Sequence, residues 1–377
     1  MGREPSRRRS PRAPSEVGTP VELHDYLRYT AEKGGSDLHL KAGGPASVRI
    51  DGTLSPCNDL GVLSSADTER FARQIMPADL WERFSQGREA DFAYTAEGLG
   101  RFRVAVFRQR GDIGLVLRRV LPGAQQFDEL NLPPAVRKLS EEHRGLVLVT
   151  GPTGSGKTTT TAAMISHINA TRRCHIVTVE DPIEVLHPDD FAIVDQREVG
   201  VDTESFASAL RSVARQDPDV IFIGEMRDEE TVSAALQAAE TGHMVISTLH
   251  TTNAKETVNR ILDLFPPSQQ NQVRISLAHS LQGIVCQRLL PKVGGGRIAA
   301  VECLVNTTRV REFILDPDQT AMIEDAVAEG GYYGMQTFDQ HLLELFKGGQ
   351  VTLKDAMDAA TSPHDFRLMV KNAGLDA

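Results

Sequence analysis

Cysteine is scarce in this sequence. The 377 residues include four cysteines, and no two of them have C-x-x-C spacing. Because zinc sites and disulfide-rich scaffolds are recognised by short, regular cysteine spacings, the sequence predicts neither a zinc site nor a disulfide framework. The four residues are expected to be free thiols in a reducing compartment: Cys57, Cys174, Cys286 and Cys303.

Long apolar runs are also missing. A helix needs roughly 18 consecutive apolar residues to span a bilayer, and no run in the sequence approaches that length. The basic residues near the N-terminus are not followed by the apolar core of a secretory signal. We therefore expect a cytoplasmic protein without a transmembrane segment.

Positive charge is in the minority. The formal net charge is −10 at pH 7, so the surface as a whole repels nucleic acid, and a polyanion site would need a local basic patch. Generic binding to DNA or RNA is therefore disfavoured.

The remaining composition is that of a globular protein with several domains. Apolar residues make up 40% and charged residues 24% of the chain, which is ordinary for a protein that buries large cores. Residues 1–19, with Arg7, Arg8, Arg9 and Arg12 among Ser and Pro, have too few apolar side chains to favour folding. We interpret them as a disordered basic tail, either functionless or able to contact acidic lipid.

Residues 20–121 show mixed helix and strand patterns, which predict an α+β domain. One helix is expected around Leu23, Tyr26 and Leu27, and a second one is expected to run from Phe71 to Phe84. Asp51-Gly52 is expected to form a hairpin turn because glycine accepts a positive φ angle. The predicted strands are Ser36–Leu40, Ser47–Ile50, Phe102–Phe107 and Gly114–Val120.

A proline-containing stretch, residues 122–134, is interpreted as an interdomain linker, with Leu121–Pro134 acting as the hinge. Beyond it, apolar strands alternate with helical patterns, which predicts an α/β domain with a parallel sheet over residues 135–290. Its predicted strands are Leu146–Thr150, Ile176–Val179, Val220–Ile223 and Val245–Leu249. The pattern becomes mostly helical towards the C-terminus, over Val273–Leu290, Gln340–Phe346 and Leu353–Ala360. The chain is therefore predicted to be mainly helical from residue 291 to 377.

The segment from Gly151 to Thr158 has the G-x-x-x-x-G-K-T spacing of a phosphate-binding loop. It follows a predicted strand and precedes a predicted helix, Thr158–Ile168, which is the context that this motif requires. We therefore predict binding of ATP with Mg²⁺, in which Lys157 neutralises the β- and γ-phosphates and the Thr158 hydroxyl contacts the metal. The predicted nucleotide-binding residues are Gly151, Pro152, Thr153, Gly154, Ser155, Gly156, Lys157, Thr158 and Thr159.

Acidic residues end two other predicted strands. Glu225 follows Val220–Ile223 and is a candidate for the base that activates water or for a partner in the Mg²⁺ shell, unless it only caps the strand end. Glu180 and Glu184 follow Ile176–Val179 among three carboxylates that repel each other, so a cation near the nucleotide would be stabilising there. Glu180 is accordingly a candidate metal ligand with Thr158, and a solvated acidic turn is the alternative.

Further candidates are a histidine and two arginines. His250 lies at the carboxyl end of the fourth predicted strand, where α/β folds bind ligands, and is interpreted as a sensor of the γ-phosphate rather than a helix cap. Arg103 and Arg118 lie on strands of the first domain with few nearby acids. An ATPase ring often takes a guanidinium from another domain or subunit, and we assign that catalytic role to these two.

Ordered blocks of residues resemble the secretion ATPases that power type IV pili and type II secretion, above all the pilus retraction ATPases of twitching motility. The resemblance covers about Val21 to Leu368. It implies a PAS-like N-terminal domain followed by a RecA-like ATPase domain, and a homohexamer with ATP between the two domains. It also implies that the protein works at the cytoplasmic face of the inner membrane, with a platform protein of that membrane as its partner. The blocks are 34–40, 100–104, the phosphate-binding loop, 180–184, 217–219, 224–228 (the family's Walker B), 240–243 with 248–250 (its His box) and 334–337.

The direction of action is left open by the sequence. Assembly ATPases of the family usually carry a tetracysteine insertion, which this chain lacks, so retraction is favoured. However, the segment from Thr308 to Ile314 departs from the block typical of retraction motors. An accessory motor, or an assembly or type II secretion ATPase, is therefore kept as the alternative. Two alternative functions lie outside the pilus and secretion motors. One is a DNA-dependent ATPase of similar fold, and the other is a structural ring that binds ATP without hydrolysing it.

Overall fold

The computed structural model describes residues 21–50, 52–87 and 89–375, and the side chains of Leu121 and Pro122 are excluded from this description. The predicted tail, residues 1–19, and Asp51 of the predicted hairpin turn lie outside the described residues. The chain forms two compact units, the first ending at Arg119 and the second beginning at Val120. Each unit has its own hydrophobic core.

In the described residues, the first unit is a six-stranded antiparallel sheet with three α-helices. The strand order is β3-β2-β1-β6-β5-β4, and large side chains such as Tyr26, Phe71 and Phe102 are fully buried in its core. The α+β prediction is therefore confirmed for this unit. Its elements are α1 (Leu23–Glu32), β1 (Asp37–Lys41), β2 (Ser47–Ile50), β3 (Thr53–Pro56), a 3₁₀ turn (Asn58–Leu60), α2 (Ser65–Ile75), α3 (Ala78–Gln86), β4 (Glu89–Ala96), β5 (Gly100–Gln109) and β6 (Asp112–Arg119).

The single helix expected from Phe71 to Phe84 is wrong, because two helices occupy this region. Helix α2 ends at Ile75, and Pro77 is the N-cap of α3. Proline lacks an N–H group and disfavours helical backbone in the residue before it, so one helix cannot continue through this position. The sequence analysis also missed β3 and β4.

The second unit is built around a seven-stranded sheet. Its strand order is β11-β9-β12-β13-β8-β14-β15, with all neighbours parallel except the antiparallel pair β14 and β15. Helices cover the sheet, and the buried residues form two large apolar clusters. The elements up to the last strand are β7 (Leu121–Pro122), α4 (Phe127–Leu130), α5 (Pro134–Ser140), β8 (Gly145–Thr150), α6 (Lys157–Thr171), β9 (His175–Glu180), β10 (Val185–Leu186), β11 (Ile193–Glu198), α7 (Phe206–Val213), β12 (Val220–Ile223), α8 (Glu229–Glu240), β13 (Met244–Leu249), α9 (Ala254–Asp263), α10 (Pro267–Ser280), β14 (Leu281–Pro291) and β15 (Arg297–Val305).

The helix expected over Val273–Leu290 is wrong in its second half. Helix α10 ends at Ser280, and β14 continues the central sheet from Leu281 beside β8. Residues 281–290 form a mostly apolar run, and a short apolar run has no periodicity that separates a buried strand from a buried helix. The sheet therefore extends to Val305, and the mainly helical part follows it as α11 (Thr308–Leu315), α12 (Ile323–Glu329), α13 (Phe338–Lys347), α14 (Leu353–Ala359) and α15 (Pro363–Asn372), with 3₁₀ turns at Pro317–Met322 and Gly331–Tyr333.

The segment expected to be a linker contains regular structure of the second unit. Strand β7 pairs in parallel with β10, with Leu121 opposite Val185 and Pro122 opposite Leu186. Phe127 of α4 is buried in an apolar cluster of the same unit. Residues 121–134 are thus built into the second unit, and their function as a hinge stays a prediction.

Within the described part of the chain, none of the helices combines the length and the apolar character that crossing a membrane requires.

Candidate functional site

The phosphate-binding loop connects β8 to α6, as predicted. Every residue of β8 is buried, which fixes the start of the loop in the middle of the sheet. Gly151 has a φ angle of 146°, and a Cβ atom added there would lie 2.5 Å from both the Gln287 carbonyl oxygen and Ser155 Oγ. A side chain at this position would strain the backbone and collide with its neighbours, so the loop requires glycine there.

Lys157 is the first residue of α6, and its side chain folds back over the loop. Its Nζ atom donates to the carbonyl oxygens of Gly151 at 2.7 Å and of Pro152 at 3.1 Å. Burial lowers the pKa of Lys157, although the charges of Glu225 and Glu184 oppose this effect. A partly desolvated ammonium group beside a helix N-terminus is a strong attractor for an anion.

A cavity of about 480 Å³ opens over this loop. Its wall combines the loop with residues at the carboxyl ends of β9, β12 and β13, since parallel strands bring these ends to one edge of the sheet. The predicted residues that line it are Thr153, Gly154, Gly156, Lys157, Thr158, Thr159, Glu180, Glu184, Glu225 and His250. Gly151, Pro152 and Ser155 belong to the same loop but do not line the cavity.

Glu225 follows β12 and is held by two basic side chains. Its Oε2 atom lies 2.7 Å from Arg227 Nη2, and its Oε1 atom lies 3.2 Å from His250 Nε2. Burial would raise the pKa of Glu225, but the interactions with Arg227 and His250 outweigh it and hold the pKa below its ordinary value. The side chain is therefore a carboxylate at neutral pH, positioned to accept a proton or orient a water molecule.

His250 connects the base candidate to the loop. Its Nδ1 atom lies 3.5 Å from Lys157 Nζ, while Nε2 faces Glu225. Because an ammonium group only donates hydrogen bonds, Nδ1 is the acceptor, and Nε2 then carries the proton directed at Glu225. Lys157, His250 and Glu225 thus form a continuous polar chain.

Glu180 ends β9 and is 8% exposed. Burial raises the pKa of Glu180 to about 7, and hydrogen bonds from Thr178 and Gln196 oppose the shift. Both donors contact Oε1, at 2.7 Å and 3.0 Å. A buried carboxylate with this pKa favours a nearby cation, since a cation stabilises the charged form. Glu184 lies on the same wall and is exposed.

The residues predicted to contact Mg²⁺ fit a small, hard cation. Thr158 lies in the first turn of α6 with its side chain exposed on the cavity wall, and Glu180 lines the same cavity. The described residues contain no group of three or more His, Cys, Asp or Glu side chains placed to enclose a metal. Mg²⁺ prefers oxygen ligands and usually keeps water and phosphate oxygens among them, so a hydroxyl and a carboxylate suffice on the protein side.

Arg103 and Arg118 belong to the first unit and lie side by side, because β5 and β6 pair them directly. The expectation that few acids surround them is wrong for Arg118, whose Nε atom lies 2.7 Å from Asp37 Oδ1. Burial would raise the pKa of Asp37, but hydrogen bonds from Ser36 and Arg118 outweigh it. Asp37 and Arg118 are 81 residues apart in the chain, so only the strand register of β1 and β6 reveals this pair.

Four residues of the site were missed in the sequence analysis. Arg227 anchors Glu225, and Thr178 and Gln196 hold Glu180. Arg297 lines the cavity from the start of β15. Arg227 lies two residues after Glu225 and Thr178 two residues before Glu180, which were usable signals. Gln196 and Arg297 reach the site through strand pairings that the sequence does not specify.

Comparisons with known proteins identify the family of the chain. The family model described as "Type II/IV secretion system protein" matches residues 81–336. The "Type IV pilus retractation ATPase PilT" of Pseudomonas aeruginosa is 42% identical over 346 residues, which cover 92% of this chain and 100% of that protein. The "Type IV pilus ATPase PilU" of the same organism is 42% identical, covering 93% of this chain and 92% of that protein.

Solved structures give the same result. A crystal structure of the pilus retraction motor PilT with bound ADP matches with a TM-score of 0.85 and 46% sequence identity, covering 93% of this chain and 100% of that chain. The α/β fold and the resemblance to pilus retraction ATPases are thus confirmed, and the chain belongs to the family of type II/IV secretion system proteins.

Proposed function

We propose that this chain is an ATP hydrolase that works as a hexameric motor and retracts type IV pili. The polar chain from Lys157 through His250 to Glu225 carries the proposal, because it links a phosphate-binding group to a general base inside one cavity. A relative with 42% identity over its whole length is named a pilus retraction ATPase, and the matching solved structure is a retraction motor with ADP.

In the proposed reaction, the phosphates lie in the loop, against its backbone N–H groups and Lys157. The Glu225 carboxylate orients the attacking water and accepts its proton, and Arg227 keeps the carboxylate directed into the cavity. His250 reports the γ-phosphate to Glu225, because the ring contacts both the lysine and the carboxylate.

Mg²⁺ is proposed as the cofactor, held by the Thr158 hydroxyl and Glu180. When bound, it neutralises the charge that develops on the phosphate oxygens. Since Glu180 is buried with a pKa raised to about 7, the carboxylate is a better ligand above that pH than below it.

Further parts of the proposal extend the family assignment. The first unit is proposed to be a PAS-like domain and the second a RecA-like ATPase domain, on the basis of their sheets. Arg103 and Arg118 are proposed to act on the transferred phosphoryl group, in the same subunit or a neighbouring one, since they are paired directly on adjacent strands. The motor is proposed to be cytoplasmic and to bind a platform protein at the inner membrane.

The test is a count of surface pili by electron microscopy in cells whose chromosomal copy carries Lys157→Ala. Retraction predicts an excess of pili that no longer shorten, and Lys354→Ala, an exposed lysine on α14, is the matched control. Loss of pili in the Lys157 variant would mean that the chain drives assembly and would refute the proposal.

An accessory motor is the second candidate, because a relative named PilU has the same 42% identity. It predicts normal pilus numbers in the Lys157→Ala strain and a defect only when a principal motor is weakened. A DNA-dependent ATPase is excluded if added DNA leaves phosphate release by the purified protein unchanged.

A further inference from the structure

Gln196 lies on β11, the edge strand of the central sheet, and its amide group makes three hydrogen bonds. The Nε2 atom donates to Glu180 Oε1 at 3.0 Å and to the Val185 carbonyl oxygen at 2.9 Å. The Oε1 atom accepts from the His187 N–H group at 2.8 Å. Both donor hydrogens and the acceptor oxygen of the amide are thus used, so its orientation is fixed by its partners.

These partners belong to two different parts of the site. Glu180 is the buried carboxylate on the cavity wall, and Thr178 and the backbone N–H of Glu184 also hydrogen-bond to it. Val185 and His187 belong to or flank β10, the two-residue strand whose partner is β7. Gln196 differs from the other donors to Glu180 because it holds β10 as well.

Strand β10 has little support of its own. A ladder of two residues on each strand is marginal alone, so the hydrogen bonds of Gln196 with Val185 and His187 add to its support. The chain from Asp181 to Glu184 connects β10 directly to Glu180, and Gln196 closes this segment into a loop by bonding to both of its ends.

We propose that Gln196 is a positioning residue, which holds the Glu180 carboxylate at the cavity wall and ties it to β10. This inference rests on the proposed ATPase activity. Gln196 acts through Glu180, so its effect on turnover disappears when Glu180 cannot function.

The first test is a double-mutant cycle on phosphate release by the purified full chain. Gln196→Met removes all three hydrogen bonds with little change in volume and is expected to lower kcat about tenfold, which corresponds to about 1.4 kcal/mol in the activation free energy. In the Glu180→Gln background the same change should cause no further loss. Gln319→Met, which removes a glutamine bonded to Asp316 at 2.7 Å, is the matched control and should leave kcat unchanged.

The second test is hydrogen exchange at the His187 amide, which does not require turnover. Gln196→Met should raise its exchange rate at least tenfold. Gln196→Glu keeps an acceptor for His187 and loses the donors to Glu180 and to the Val185 carbonyl, so it should slow exchange at His187 relative to Gln196→Met while it still lowers kcat. The two variants therefore separate the two functions of one side chain.

Independent, additive losses in the cycle, or unchanged exchange at His187 in Gln196→Met, would overturn the inference. A wild-type protein that releases no phosphate would instead refute the proposed ATPase function, so the two failures are distinguishable.

Discussion

Replacement of Glu225 by glutamine is the sharpest test of the proposed chemistry. The substitution keeps the size of the side chain and removes the negative charge that faces Arg227 at 2.7 Å and His250 at 3.2 Å. A carboxamide cannot accept a proton from water, so the general base is lost while the loop and its lysine are untouched.

The expected loss follows from the role of the residue. General base catalysis contributes about 10²–10⁴-fold to a rate, which corresponds to roughly 3–5 kcal/mol of transition-state stabilisation. Glu225 is 17% exposed and Arg227 is 64% exposed, so the lost ion pair should change the free energy of unfolding by at most about 1 kcal/mol. Turnover should therefore fall by two to four orders of magnitude with the melting temperature nearly unchanged.

The assay is phosphate release under saturating ATP and Mg²⁺, together with nucleotide binding measured by calorimetry. Binding should stay within about threefold of wild type, because the phosphate contacts lie in the loop. Glu229→Gln, an exposed acid in the first turn of α8, is the control for loss of one charge. Turnover within threefold of wild type in Glu225→Gln would refute its role as the base.

Three further predictions concern the loop, a buried acid and the arginines. Gly151→Ala should weaken nucleotide binding at least tenfold, since its Cβ would lie 2.5 Å from two atoms, whereas Gly154→Ala meets nothing within 4 Å and should cost less. Burial raises the pKa of Glu302 to about 7 from an ordinary 4.5. Because the folded protein holds this proton more tightly than the unfolded chain, its free energy of unfolding falls as the pH rises from about 4.5 to 7, by about 3 kcal/mol at most. Glu302→Gln should therefore gain melting temperature relative to wild type over that range. Arg103→Ala with Arg118→Ala should abolish turnover and leave binding largely intact.

Each of these predictions has a measurement that contradicts it. Equal nucleotide affinities of the two glycine variants, measured by calorimetry, would refute the steric argument. The pKa argument would be refuted if the melting temperatures of Glu302→Gln and wild type differed by the same amount at every pH. Glu329→Gln is the control, because Glu329 is exposed. Normal phosphate release by the double arginine variant would remove the arginines from the mechanism, with Arg28→Ala as the control for loss of an exposed arginine.

The parts of the site that were predictable from sequence are those with local causes. The phosphate-binding loop is contiguous, and its glycines and lysine are defined by spacing alone. Glu180, Glu225 and His250 were predictable as a group because each follows an apolar strand, and parallel strands bring their carboxyl ends to one edge. The structure places all three on the wall of one cavity.

The parts that were not predictable depend on strand register. Gln196 reaches Glu180 because β11 pairs with β9 and sets Gln196 opposite Thr178, and no periodicity in the sequence specifies that pairing. The contact of Arg118 with Asp37 has the same origin. Strand β14 was mistaken for a helix because its apolar residues come in short runs without a clear period, which are compatible with either structure when buried.

The separate cores have a thermodynamic consequence. The apolar cluster of the first unit is made of residues from Leu23 to Leu117, and the clusters of the second unit begin at Phe127. Two cores of this kind need not melt together, so a single two-state fit is not justified in advance for this chain. A nucleotide stabilises only the structure that binds it, by about 2.7 kcal/mol at a hundred times its Kd. In calorimetry, increasing ADP should therefore raise the melting temperature of the second unit. The accompanying shift in the melting temperature of the first unit reports the coupling free energy between the two units.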